Sequence, residues 1–259
     1  MAYSIDIDDG GVTTAKQTFT SADTTITISN SSTLRNSLNN MININGQDNG
    51  TVIIEAGSTV ETTGGKSNPI NGNAASGLTI TNSGTIKSAS SKAINLTDAT
   101  TGTLTNNSGG VIQAKTNTIS MFGADTDDVT IHNNGTIFAT DDDDEQTNTI
   151  KSHEDSTNIT INNNSGGHIY HTSQGAVIFL SGGATLNNSG KIENKDGPTL
   201  KMMWKMYLNK NKEFKVLDVN IDGVSMLVTQ RAEFLSVIKN NPNGVKGLIA
   251  EMEKKSAGS

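Results

Sequence analysis

The chain has 259 residues, a formal net charge of −7, 33% hydrophobic and 4% aromatic residues, and an excess of Thr (34), Asn (31) and Gly (26). Cysteine is absent, which excludes a disulfide framework and a thiolate zinc site. No apolar run reaches the ~20 residues of a membrane-spanning helix, and the acidic balance argues against general nucleic-acid binding, so we expect neither membrane insertion nor a nucleic-acid partner.

The first 24 residues contain an alternating pattern, with apolar side chains at Tyr3, Ile5 and Ile7. Such alternation is typical of a β-strand. We expect residues 1–24 to cap the structure that follows or to attach it to something else, because an exposed end of a repeat array needs a cap. The segment has neither the basic nor the apolar region of a secretory signal peptide, which favours assembly in the cytoplasm.

Residues 25–200 consist of a repeat with a period of about 25 residues. Fragments such as ITNSGTI (80–86), IHNNGTI (131–137) and LNNSGKI (186–192) each join two apolar residues through a bend rich in Asn and Gly. Three apolar positions recur in seven repeats. They are Ile28, Ile54, Ile80, Leu104, Ile131, Ile161 and Leu186; then Leu34, Val60, Ile86, Ile112, Ile137, Ile169 and Ile192; and then Ile44, Ile70, Ile94, Ile119, Ile150, Val177 and Leu200.

This period is too short for repeats made of two helices, and the short alternating stretches around residues 78–81 and 93–96 indicate strands. Three short strands per repeat, joined by polar bends, predict an all-β parallel β-helix of about seven coils of ~25 residues. Each strand is expected to pair with its equivalent one coil later. Asn residues at equivalent positions are expected to form stacked amide ladders.

A repeat of the Asn-Ser-Gly-Thr-Ile type resembles the right-handed parallel β-helix of phage tail spikes and fibres and of autotransporter passenger domains. The resemblance covers the repeat region alone. It implies a right-handed solenoid and identifies function poorly, because such solenoids serve as adhesins, spikes, lyases and scaffolds. Autotransporters also carry a signal peptide and a C-terminal membrane barrel, which we do not recognise in this sequence, so the resemblance favours the phage proteins.

The remaining segment, residues 201–259, differs in charge from the repeats: it carries +4, against −11 for residues 1–200. We predict strands at 213–221 and 224–228 around the turn at Asp222-Gly223, and then a helix with its N-cap at Thr229. Pro242-Asn243 ends that helix. A second helix follows, with an apolar stripe at Val245, Leu248, Ile249 and Met252. These elements predict a small α+β module for capping, oligomerisation or docking.

Five apolar or aromatic residues at the start of this module are candidates for partner binding, because Met and Trp are enriched at protein interfaces. They are Met202, Met203, Trp204, Met206 and Tyr207.

Acidic residues concentrate in the loops of the fourth and fifth coils, and we expect them to be exposed. They are Asp125, Asp127, Asp128, Asp141, Asp142, Asp143, Asp144, Glu145, Glu154 and Asp155. The first three and the last two follow the third strand of adjacent coils, so they should stack on one edge. Oxygen-rich clusters can hold Ca²⁺, but EF-hand spacing is absent, and His168-x-x-His171 does not match a zinc-protease motif. We predict no metal and no cofactor.

Enzymatic activity is weakly indicated. A glycosidase needs two carboxylates across a groove, and sugar grooves usually offer aromatic platforms. The solenoid holds only Phe122, Phe138, Tyr170 and Phe179 as large aromatics, and they come from different strands. We therefore predict no catalytic residue.

Together these features predict a non-enzymatic phage virion protein, a spike, fibre or capsid-attached appendage that forms a rigid rod for attachment. Its expected partners are other virion proteins and a host surface glycan or protein, and its expected assembly is a homotrimer. A bacterial secreted or surface adhesin and a polysaccharide depolymerase are the alternatives.

Overall fold

A computed structural model describes residues 3–38, 40–140, 147–173, 175–195, 202–208, 210, 214–221 and 223–256. The chain divides into two compact units, residues 1–197 and 198–259, which are described separately below.

The first unit is a parallel β-solenoid of about seven coils, as predicted. Seven coils each contribute one strand to each of three parallel sheets, and a final pair of described strands extends two of these sheets. Every described strand of this unit pairs with its equivalent in the neighbouring coil. Sheet A contains β1 (Tyr3–Ile7), β4 (Thr24–Ile28), β7 (Thr51–Ile54), β10 (Thr79–Asn82), β13 (Thr103–Asn106), β16 (Thr130–Asn133), β19 (Thr160–Asn163) and β22 (Thr185–Asn188). Sheet B contains β2 (Val12–Thr13), β5 (Thr33–Asn36), β8 (Thr59–Thr62), β11 (Thr85–Ser88), β14 (Val111–Ala114), β17 (Thr136–Ala139), β20 (His168–His171) and β23 (Lys191–Asn194). Sheet C contains β3 (Gln17–Thr18), β6 (Ile42–Asn43), β9 (Ile70–Asn71), β12 (Ile94–Asn95), β15 (Ile119–Met121), β18 (Asn148–Ser152) and β21 (Ala176–Phe179).

The N-terminal segment has the three-strand organisation of a coil. Strand β1 pairs in parallel with β4, so that Ile7 lies beside Ile28, and β2 and β3 pair with β5 and β6. Residues 3–18 therefore continue the three sheets at their N-terminal edge. Their role as a cap or attachment segment stays a prediction.

The core is a set of inward-facing aliphatic columns. In strands such as β13 and β16, side chains alternate between buried and half-buried positions because successive residues of a strand point to opposite faces. The predicted column of Leu34, Val60, Ile86, Ile112, Ile137, Ile169 and Ile192 is confirmed, since each residue pairs in register with the next.

Two of the predicted columns contain wrong members, namely the first two in sheet A and the first and sixth in sheet C. In sheet A, Ile80 pairs with Val52 and not with Ile54, so the true column contains Ile26 and Val52 in place of Ile28 and Ile54. A shift of two residues keeps the same face of a strand inward, so apolar pattern alone did not distinguish the two registers.

In sheet C, the column contains Ile42 in place of Ile44 and Ile178 in place of Val177. Ile42 and Ile44 are both buried, and Val177 and Ile178 are adjacent apolar residues, so the sequence offered two candidates at each point. The last predicted member, Leu200, lies outside the described residues.

The predicted amide ladder is present in sheet A, and all its members except the last are buried. Asn82 donates through Nδ2 to Oδ1 of Asn106 at 2.8 Å, and the same contact joins Asn106 to Asn133, Asn133 to Asn163 and Asn163 to Asn188 at 2.8–2.9 Å. These residues follow Ile7, Ile28 and Ile54 in one column. An aliphatic column therefore changes into a hydrogen-bonded one at the fourth strand of sheet A.

The bends after the ladder require glycine. A Cβ atom at Gly135 would overlap the carbonyl oxygens of Gly110 and Asn107 in the preceding coil. The coils approach each other too closely here for any side chain.

The second unit is a three-stranded antiparallel sheet followed by two helices, an α+β arrangement as predicted. Its elements are β24 (Met202–Leu208), β25 (Phe214–Ile221), β26 (Val224–Ser225), α1 (Met226–Asn240) and α2 (Val245–Ser256). Neither helix in the described part of the chain is long and apolar enough to cross a membrane.

The start of α1 differs from the prediction. The N-cap is Ser225, whose Oγ accepts a hydrogen bond from the Val228 N–H at 3.1 Å, and the strand predicted at 224–228 ends at Ser225. Thr229 lies inside the first turn, where its hydroxyl donates to the Ser225 carbonyl. Asp218 favours the earlier start, because its carboxylate accepts from the Ser225 hydroxyl at 2.7 Å and from the Leu227 N–H at 3.0 Å.

Candidate functional site: outward columns of the last coils

Parallel, in-register pairing aligns outward side chains as well as inward ones, so residues far apart in sequence form columns about 4.8 Å apart per coil. Phe122, Phe138, Tyr170 and Phe179 all lie in the C-terminal coils, between β15 and β23, where lysines lie over three of the four rings.

The predicted acidic residues occupy equivalent turns of neighbouring coils. Asp127 forms parallel bridges with Thr100 on one side and with Thr157 on the other. Its Oδ1 accepts from the Asp128 N–H at 2.9 Å and from the Thr157 hydroxyl, while Asp125 and Asp128 are exposed. Asp127 therefore serves the stacking of the turns, and its two neighbours face solvent.

Glu154 and Asp155 are exposed in the next turn along the stack. The His153 Nδ1 lies 3.5 Å from an oxygen of Asp155 and accepts a hydrogen bond from its backbone N–H at 3.2 Å. One ligand atom from each of His153, Glu154 and Asp155 falls within 4.8 Å of the others, a spacing that can accommodate a cation. The other predicted acidic residues, Asp141, Asp142, Asp143, Asp144 and Glu145, lie outside the described residues.

A surface cleft of about 260 Å³ opens beside this turn, on the outer face of sheet C. It contains a lysine between two phenylalanines, together with three polar groups. The lining residues are Phe122, Lys151, His153, Glu154, Phe179 and Ser181. This mixture of apolar ring faces and a few polar groups is typical of small-molecule sites.

Lys151 lies at the centre of the cleft. It is an outward residue of β18 and pairs in register with Phe179 of β21. Its ammonium lies 4.4 Å from the Phe122 ring centroid and 5.8 Å from that of Phe179, within the range of cation–π attraction. The His153 ring contacts Phe122 edge-on at 4.9 Å, which fixes one wall of the cleft.

A second aromatic cluster lies on sheet B, but its ring faces are already used. Phe138 and Tyr170 stack with ring centroids 4.7 Å apart and planes 11° apart. The Lys195 ammonium covers Tyr170 at 3.8 Å, and the His168 ring packs against it at 4.6 Å. These contacts tie neighbouring coils together and leave little of the Tyr170 ring for a ligand.

Glu193 completes this cluster. Its carboxylate pairs with the Lys191 ammonium at 2.7 Å and with the His168 Nε2 at 2.9 Å. The hydrogen bond from Lys191 is the largest of the interactions that hold the pKa of Glu193 below its ordinary value. The carboxylate is therefore charged at neutral pH and neutralises the Lys191 ammonium.

The predicted partner-binding residues Met202, Met203, Trp204, Met206 and Tyr207 all lie on strand β24. The strand pairs with β25 on one side and is the edge of the sheet among the described strands. A register shift between Lys205 and Met206 leaves both Met203 and Met206 about half exposed. The structure thus brings the five residues together on one strand, and their binding role stays a prediction.

The helices of this unit also expose apolar surface. Three residues of the predicted stripe on α2 are at least half exposed, namely Val245, Ile249 and Met252. Helix α1 has no buried residue.

Sequence reasoning did not find the cleft. It identified Phe122 and Phe179 but treated them as separate because they follow different strands. Their spacing did not reveal the contact, because Phe122 and Phe179 are 57 residues apart, about two periods, and Phe179 shares its column with Lys151 and Ser120. Lys151 gave no signal either, because a single Lys in a repeat is usually only a solvated side chain.

Comparison with known proteins gives one match. The sequence model of a family described as MlaC protein matches residues 184–254, which begin at the last coil and end within α2. The match covers well under half of the chain and does not assign the chain to that family. None of the curated proteins and none of the solved structures compared with the chain matches it.

Proposed function

We propose that the chain is a non-enzymatic structural protein whose solenoid is a stiff support for attachment to a surface, within a phage virion as a spike, fibre or capsid-attached appendage. The observation that carries the proposal is the continuity of the coil stack. Three parallel sheets run through successive coils, and each coil buries its aliphatic columns against the next. A stack of this kind resists bending because each coil is hydrogen-bonded to both neighbours.

The two units have different roles in this proposal. The outward residues of the last coils bind the target surface, because the cleft that contains two exposed phenylalanine rings and a lysine unpaired among the described residues lies there. The module at residues 201–259 docks on other virion proteins or on symmetry mates, since β24 and α2 expose Met203, Met206 and Ile249. Exposed apolar side chains in such number are typical of protein interfaces.

Two measurements test the oligomeric state of the protein and its presence on virions. Light scattering is expected to give a trimer of the 27.2 kDa chain. Antibody against the solenoid is expected to label purified virions and not the bacterial surface. Labelling of the bacterial surface alone would replace the virion setting with the adhesin alternative, and a stable monomer found in neither place would overturn the proposal.

A polysaccharide depolymerase is the second candidate, because Lys151, His153 and Glu154 line one cleft. Such groups are of the type that catalyses proton transfer. Release of reducing ends from capsular polysaccharide by the wild-type chain, and its loss in Glu154→Gln, would favour this candidate over the non-enzymatic one.

A further inference from the structure

One lysine lines the cleft on sheet C, and a second lysine contacts the column of outward residues that contains it. Asn95, Ser120 and Lys151 occupy one outward position in three successive strands. The half-buried Lys92 reaches the same column, where its Nζ donates to Oδ1 of Asn95 at 3.3 Å. Burial, and after it the charge of Lys151, lowers the pKa of Lys92. Two ammonium groups therefore approach one outward column.

Neither ammonium is neutralised by a carboxylate within the described parts of the chain. The ion pairs there involve Arg35 with Glu61, His153 with Asp155, and Glu193 with its two partners. Glu154 lines the same cleft as Lys151 without pairing with it. Because the Lys151 ammonium is not paired with a carboxylate of the described chain, it is a suitable partner for an external anion, since charge-assisted hydrogen bonds are the strong ones.

The two phenylalanine rings define the rest of the ligand. Phe122 and Phe179 are 45% and 46% exposed, and they flank the Lys151 ammonium. The face of an aromatic ring is electron-rich and attracts the weakly positive C–H groups of a saturated ring. By contrast, Phe138 and Tyr170 stack on each other and offer no such open face pair.

We propose that this cleft binds a carboxylate-bearing pyranose of a surface glycan. The Lys151 ammonium pairs with the carboxylate, the rings of Phe122 and Phe179 pack against the sugar C–H groups, and Ser181 and His153 offer hydrogen bonds to hydroxyl groups. A volume of about 260 Å³ fits a single sugar ring better than an extended chain. The inference rests on the proposed attachment function and names its ligand class.

The test is calorimetric titration of the full chain with uronate- and sialate-bearing oligosaccharides, and with their methyl esters as neutral matches. The acidic sugars are expected to bind at least ~10-fold more tightly than the esters, because esterification removes the charge that Lys151 recognises. Free monosaccharide acids are titrated as a second set of ligands, because their affinity, compared with that of the oligosaccharides, distinguishes a glycan ligand from a small free acid.

Matched variants locate the binding. Lys151→Met keeps the aliphatic stem and is expected to weaken binding ~10-fold, whereas Lys87→Met, at an exposed outward position of sheet B, should have no effect. Phe179→Leu is expected to weaken binding several-fold, and Phe138→Leu should not. Unchanged thermal unfolding of Lys151→Met separates loss of binding from loss of fold.

The outcomes separate the two proposals. Equal binding of acids and esters, or equal loss in Lys87→Met and Lys151→Met, would overturn the inference. If the chain adheres to target cells but binds no acidic sugar, the attachment function stands and the inference fails. If it adheres to no cells and associates with no virions, while the acidic sugars still bind at Lys151, the attachment function fails and the site remains.

Discussion

At the residue scale, the change from isoleucine to asparagine within one column of sheet A carries the clearest energetic consequence. Ile7, Ile28 and Ile54 fill this column in the first coils, and the amide ladder begins at Asn82. Only one polar atom of the first amide is hydrogen-bonded within the described chain. Asn82 Nδ2 donates to Asn106, but Asn82 Oδ1 is buried and has no partner among the described residues. The inner members of the ladder both donate and accept.

This difference predicts a graded cost for removing the amides. Asn106→Ala leaves a donor on Asn82 and an acceptor on Asn133 without their ladder partners, and it is expected to lower the free energy of unfolding by about 2–4 kcal/mol. Asn82→Ala removes an unsatisfied oxygen with the side chain, so its cost should be about 1 kcal/mol smaller. Urea unfolding of both variants measures the difference. Equal costs would show that the ladder contributes no more than its individual buried side chains.

At the element scale, the bends and the helix start show how much the sequence can predict. Three strands per coil, parallel pairing and a middle column that included Leu34 and Ile192 followed from the repeat alone, because apolar spacing reports directly on which side chains face inward. The register of the first coils did not follow, because Val52 and Ile54 both face inward and a shift of two residues preserves the pattern.

The helix start and the cleft were hidden for a different reason. Ser225 and Thr229 are both acceptable N-caps, and the choice between them depends on Asp218, which reaches the helix end from the adjacent strand. The cleft likewise depends on contacts between Phe122, Lys151 and Phe179 across three coils. Such contacts arise from packing and leave no local pattern in the chain.

The bends give the second prediction. Gly135→Ala places a Cβ against carbonyl oxygens of the preceding coil, and backbone cannot move aside without breaking the sheet pairing, so we expect a loss of more than about 2 kcal/mol. Gly102 is a matched control, because it is also buried and its Cβ would meet only ordinary contacts at 3.7 Å. Gly102→Ala should change the unfolding free energy by no more than about 1 kcal/mol, because the added methyl group displaces no atom and mainly reduces the entropy of the unfolded chain. Similar losses in both would contradict the close approach of coils at Gly135.

The third prediction concerns the acidic cap of α1. Hydrogen bonds from the Ser225 hydroxyl and then from the Leu227 N–H lower the pKa of Asp218. Since the folded-state pKa lies below the unfolded one, this carboxylate stabilises the module above its unfolded pKa, and the stabilisation is lost as pH falls through the folded pKa.

NMR titration of the Asp218 carboxyl carbon measures this shift. In Ser225→Ala the pKa of Asp218 should rise towards its ordinary value, because the hydroxyl is its strongest partner. In Asp218→Asn the helical signal of the module should become less sensitive to pH below 4.5, a range chosen from the ordinary pKa of carboxyl groups, about 4. An Asp218 pKa that is the same with and without the Ser225 hydroxyl would show that the cap does not depend on that bond.

At the scale of the whole solenoid, each coil contacts only its neighbours, so the structure approximates a one-dimensional array. An array of this kind tolerates loss of a complete unit better than loss of part of one. Thr103 and Thr130 are in register, so deletion of residues 103–129 removes β13, β14 and β15 and joins equivalent points of two coils. Asn82 would then face Asn133, which preserves the amide ladder, and Ile80 would face Ile131, which preserves the core column.

This deletion is therefore expected to leave a folded solenoid with one cooperative unfolding transition, read by circular dichroism. Deletion of residues 103–115 is the control. It removes β13 from sheet A and β14 from sheet B but keeps β15 of sheet C, so the strands that follow can no longer pair in register with all three sheets at once. This variant should lose most of its cooperative unfolding transition. The full-coil deletion retains Lys151 and Phe179 but removes Phe122, so it should also lose part of its affinity for acidic sugars while remaining folded. If the two deletion variants show the same unfolding transition, the coils do not act as independent units. The stiffness proposed for the stack would then require contacts beyond those between neighbouring coils.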